Sequence, residues 1–83
     1  MSVVVTTDAA SGTFMIDGYG RVRPRERDVL ALTAEGFSVQ QIAKEMYITE
    51  KTVKTHRYNA VCRLQARNTL HAVVILLRRG EIA

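Results

Sequence analysis

The stretch Phe37-Ser38-Val39-Gln40-Gln41-Ile42-Ala43-Lys44-Glu45-Met46-Tyr47-Ile48-Thr49-Glu50-Lys51-Thr52-Val53 carries one start signal twice, eleven residues apart. Ser38 followed by Gln41 is a capping box, in which each residue satisfies a backbone N–H of the other. Phe37 and Ile42 have the spacing of a hydrophobic staple across that cap. Ile48, Thr49 and Val53 repeat the pattern, with Thr49 as the cap. The first signal opens a helix that runs to about Met46, and the second opens one from Glu50 to about Leu64. Only Tyr47, Ile48 and Thr49 lie between them, which is helix-turn-helix spacing. Paired caps fix the entry angle of both helices, so the geometry is specified and not merely permitted.

The flanks follow the same grammar. Pro24 suits a first helical position and Gly36 a C-terminal cap, so Pro24 to Glu35 is helix one, with Val29, Leu30, Leu32 and Ala34 on its buried side. Asn68 caps helix four, which ends at Gly80 after two dipole-compatible cations, Arg78 and Arg79. Four short helices with short connections make an all-α domain over residues 21–83. Residues 1–20 differ. Val3-Val4-Val5 and Thr13-Phe14-Met15-Ile16 are β-prone around a turn, and the segment reads as a flexible or β-prone N-terminal arm.

Charge separates the same two regions. Residues 1–20 carry Asp8 and Asp17 and no Lys or Arg, while residues 21–83 hold all 12 basic side chains against six acidic ones. A compact unit of net charge +6 favours a polyanionic partner. Low aromatic content without Trp disfavours a stacking platform for single strands. The lone Cys62 suits a reducing compartment, and no apolar run approaches the ~20 residues needed to span a bilayer. A cytoplasmic protein is expected.

On helix three, Val53, His56, Ala60 and Leu64 form one inward stripe at three- and four-residue steps. Lys51, Lys54, Thr55, Tyr58 and Cys62 share the opposite side, beginning at the helix N-terminus. Lys can donate to guanine O6 and N7, the Thr methyl can touch thymine, and Tyr58 can reach a phosphate or a base edge. Arg57 and Arg63 flank that face, placed for backbone phosphates. The free N–H groups at the Ser38 and Thr49 caps also favour phosphate.

Taken together, Arg25-Glu26-Arg27-Asp28-Val29-Leu30, Gly36-Phe37-Ser38, Ile42-Ala43, Ile48 through His56 and Ala72-Val73 resemble the LuxR/GerE-type DNA-binding domain. The resemblance covers about residues 22 to 82. It implies a four-helix domain whose third helix enters the major groove of double-stranded DNA, and a homodimer formed through helix four. It implies base contacts from Lys54, Thr55 and Tyr58. It places Ser38, Gln41, Thr52, His56 and Arg57 at phosphate or in support of the motif. Arg23 stands where the family carries a capping Ser or Thr, so that cap is expected to be weak or supplied from elsewhere. Gln65 stands where a Gly is usual, so the end of helix three is expected to be less sharply set.

Helix four is apolar round most of its circumference. Leu70, Val73, Val74 and Leu77 are assigned to the core. Ala72, Ile75, Leu76 and Arg79 are assigned to the other side, as the dimer interface. A competing reading is a modulator that binds another regulator or RNA polymerase through helix four or the arm. No cluster of carboxylates and a base points to catalysis, so an enzyme is not expected. Cys62, His56 and His71 lack metal-ligand spacing, and neither metal nor cofactor is expected. Glu26 is expected in a structural ion pair, Cys62 as an inert thiol and His71 as simply exposed.

Overall fold

The computed structural model describes residues 20–83, and the reading of residues 1–19 as an arm lies outside the described residues. Four helices follow one another: α1 (Pro24–Ala34), α2 (Val39–Met46), α3 (Glu50–Leu64) and α4 (Thr69–Arg79). Among the described residues there is no strand.

Three helix starts are side-chain capped. Ser38 Oγ accepts from the Gln41 N–H at 3.2 Å, and Gln41 Oε1 accepts from the Ser38 N–H at 2.8 Å. Thr49 Oγ1 accepts from the Thr52 N–H at 3.0 Å. Asn68 Oδ1 accepts from the His71 N–H at 2.8 Å. His71 is half-buried and not simply exposed, because its Nδ1 turns back to accept the Arg67 N–H at 3.0 Å. The start of α1 has half a box: Glu26 Oε1 accepts the Arg23 N–H at 3.0 Å, and arginine has no acceptor to return the bond.

All four helices stop the same way. A residue with positive φ bonds back three positions, and its successor bonds back five, the pattern of a Schellman motif. Gly36 and Gly80 take that conformation freely, whereas Tyr47 (φ 57°) and Gln65 (φ 53°) take it with a side chain attached. The end of α3 is therefore sharply set despite Gln65: Ala66 N–H reaches Val61 O at 3.0 Å. The two backbone bonds offset the conformational cost.

The core has two parts. Leu30, Ala60, Leu64, Ala72, Val73 and Leu76 form one cluster, and Val29, Ile42, Ala43 and Val53 form the other. Neighbouring residues of α1, Val29 and Leu30, thus serve different clusters. The first half of α3 contributes Val53 to the α2 side, and its second half contributes Ala60 and Leu64 to the α4 side.

The rotation of α4 corrects the assignment made from its sequence. Ala72 and Leu76, expected on the outward dimer face, are fully buried, and Ile75 is half-buried against the core. Leu70 and Leu77, expected inside, are 72% and 43% exposed. With apolar residues on nearly all sides, periodicity alone fixes no rotation for this helix. Ala72, Val73 and Leu76 join Leu30, Ala60 and Leu64 in one buried cluster, so packing with α1 and α3 sets the rotation. Arg79 is exposed, but its Nη1 donates to Gly20 O and lies 3.5 Å from Glu81 Oε2.

Candidate nucleic-acid interface

The candidate interface is the outward side of α3. Val53, Ala60 and Leu64 fasten the inner side of the helix to both core clusters. Lys51, Lys54, Thr55, Tyr58 and Cys62 are consequently all exposed, and Tyr58 stands out most at 67%. This outward row starts in the first turn of the helix, where free N–H groups add positive potential. Cys62, one turn further on, holds the Tyr58 phenol pKa above its ordinary value, through side-chain hydrogen bonding first and charge second.

The phosphate candidates fall into three groups. Ser38 and Gln41 are exposed at the start of α2, and their oxygens are committed to the reciprocal cap. The amide NH2 of Gln41 keeps its donor capacity, because the cap uses only its oxygen. Thr49 and Thr52 pair at the start of α3, with Oγ1 atoms 2.9 Å apart. His56 and Arg57 are half-buried on the two shoulders of α3, so both support the helix while keeping an edge to solvent.

Arg63, expected at backbone phosphates, is 31% exposed and its Nε lies 3.0 Å from Oε1 of Glu26, a carboxylate only 3% exposed. Pairing with a buried carboxylate neutralises most of its pull on an outside anion. The same contact supplies the structural partner expected for Glu26, joining the start of α1 to the last turn of α3.

Sequence reasoning also missed an apolar strip on the outside of α4. Leu70, Val74 and Leu77 lie one helical face apart from the buried Ala72, Val73 and Leu76. No local pattern distinguishes the two sets, since both recur at helical spacing. Tyr47 was read only as part of the turn, yet it is 94% exposed in a left-handed conformation.

Comparison with known proteins bears on the family and the fold. Residues 23–76 match the family described as bacterial regulatory proteins, luxR family. The chain is 43% identical over 58 residues to the spore germination protein GerE of Bacillus subtilis (strain 168), covering 70% of this chain and 78% of that protein. It is 41% identical over 64 residues to the response regulator protein VraR of Staphylococcus aureus, covering 77% of this chain but only 31% of that protein. A solved structure of the transcription factor GerE superposes with a TM-score of 0.72 at 32% identity, covering 75% of this chain and 92% of that one. By sequence and by fold, the chain belongs to the luxR family of bacterial regulatory proteins, as a four-helix domain of the GerE type.

Proposed function

We propose that this domain is a sequence-specific, double-stranded DNA-binding regulator of transcription that lays α3 in the major groove. The observation that carries the reading is the row of exposed Lys51, Lys54, Thr55 and Tyr58 on a helix whose other side is locked into the core. Lys54, Thr55 and Tyr58 face base edges. Lys51, Thr52, His56, Arg57 and the capped starts at Ser38, Gln41 and Thr49 hold the flanking phosphates. In this division of labour the phosphate contacts set register and most of the affinity, while the base contacts select sequence. Arg63 is assigned to the fold and not to DNA. The chemistry is recognition, with no catalytic step and no cofactor, and its setting is the cytoplasm.

A homodimer through α4 belongs to the same reading. The strip Leu70, Val74 and Leu77 replaces Ala72 and Leu76 in its contact surface, because buried side chains cannot meet a second copy, while half-buried Ile75 and exposed Arg79 stay in it. The exposed Leu70 and Leu77 equally favour a second reading, in which this strip receives another regulator or RNA polymerase.

Selection of bound duplexes from a random pool, followed by titration against salt, tests the proposal. A preferred sequence should emerge. Lys54→Ala should weaken binding to it by about 1–3 kcal/mol while leaving binding to random duplex nearly unchanged. Equal losses on both duplexes would remove Lys54 from base reading, and no enrichment at all would remove sequence-specific recognition. Sedimentation with and without Leu70→Asp separates the two uses of α4. A protein monomeric at all concentrations has no homodimer to lose.

A further inference from the structure

The molecule carries a second basic patch that the groove-facing row does not absorb. Arg21, Arg23 and Arg25 fall within five residues at the entry to α1, and all three are exposed. The neighbouring carboxylate does not balance them. Glu26 is buried, accepts the Arg23 backbone N–H, and faces Arg63. Among the described residues the ion pairs are Arg63 with Glu26 and Arg79 with Glu81, and Arg21, Arg23 and Arg25 take part in neither. Their placement also runs against local helix energetics, since the positive end of the α1 dipole repels cations. Residues that oppose local stability mark sites kept for another purpose.

The patch is held in a fixed relation to the reading helix. Gly20 N–H donates to Arg63 O at 3.0 Å, and the Glu26 carboxylate lies against the Arg63 side chain, so residues 20–26 are moored to the last turn of α3. Nine residues separate Lys54 from Arg63, about 13–14 Å along a helix axis. The major groove is about 12 Å wide. A helix that enters the groove by its first turns and runs obliquely across it brings its last turn towards one bordering strand.

We propose that Arg21, Arg23 and Arg25 form a second phosphate-contacting patch, gripping the backbone that borders the groove occupied by α3. The inference rests on the DNA-binding reading and adds to it a sequence-independent anchor on a different element.

The test is the salt dependence of duplex binding by the full chain carrying Arg21→Gln and Arg23→Gln. Neither change removes a side-chain cap, because arginine provides no acceptor at the start of α1. Each lost phosphate contact should lower the log–log slope by about 0.9, so the pair should lower it by about 1.8. Affinity should fall by the same factor on selected and random duplexes. The pair Arg21→Lys and Arg23→Lys should restore the slope, because it keeps the charge. An unchanged slope in a folded Gln pair overturns the patch, and so does a reduced slope that the Lys pair fails to restore. If the unsubstituted chain binds no duplex at low salt, the DNA-binding reading falls and the patch with it. If Lys54→Ala abolishes sequence preference while the Gln pair leaves the slope intact, the patch alone falls.

Discussion

The α2 side and the α4 side of this domain share two helices but were specified by different means. On the α2 side, Ile42, Ala43 and Val53 are the apolar minority on helices whose other faces are polar, and side-chain caps fix where both helices begin. On the α4 side, the core helix is apolar almost all round. Its orientation comes from packing of Ala72, Val73 and Leu76 against Leu30, Ala60 and Leu64. An element with polar contrast declares its rotation in its own sequence. One without contrast takes its rotation from its neighbours.

Deleting one side chain from each cluster sets the two sides against each other. Leu30→Ala, on the α4 side, should cost about 2–5 kcal/mol. A domain of this size holds on the order of 3–5 kcal/mol in total, so urea titration followed by circular dichroism should find the variant largely unfolded. Val29→Ala, one residue earlier on the α2 side, should cost about 2 kcal/mol and leave a folded protein with a lower urea midpoint. Equal losses would mean that the two clusters act as one.

The helix ends sharpen the same contrast on a smaller scale. Ser38→Ala removes the cap of α2 and should cost about 1 kcal/mol. Tyr47→Gly should raise the thermal midpoint, by about 0.5–1 kcal/mol of stability, by relieving a left-handed side-chain clash at some cost in unfolded-state entropy. A drop in midpoint for Tyr47→Gly would show that the exposed ring makes a contact worth more than the strain. Smallest of all, Leu70→Ser should shift the stability of the isolated domain by less than about 0.5 kcal/mol. Its effect should appear only as a lost concentration dependence of melting, if α4 pairs with a second copy.

The helix-turn-helix was legible because Ser38 with Gln41, and Thr49 ahead of Val53, each encode a start, and Gly36 encodes a stop. The observed helices Val39–Met46 and Glu50–Leu64 follow those marks. The outward row from Lys51 to Tyr58 was legible for the same reason: once Val53 and Ala60 point inward, the remaining angles are determined. Three features were not legible. The side of α4 that faces out depends on how Ala72, Val73 and Leu76 pack with Leu30, Ala60 and Leu64 of two other helices, which no single helix records. The left-handed Gln65 is decided by two backbone bonds at the end of α3, against its own preference. The pairing of Arg63 required knowing that Glu26, thirty-seven residues away in sequence, lies against it.

That carboxylate has a reach beyond its own neighbourhood. By receiving the start of α1 and the rear of α3, the helix proposed to read DNA, Glu26 behaves as a pin that sets the aim of a pointer from behind. A genetic screen for lost regulation should therefore recover changes at Glu26 and Arg63 beside those at Lys54. The first kind would misdirect an intact set of reading groups, and the second would blunt it.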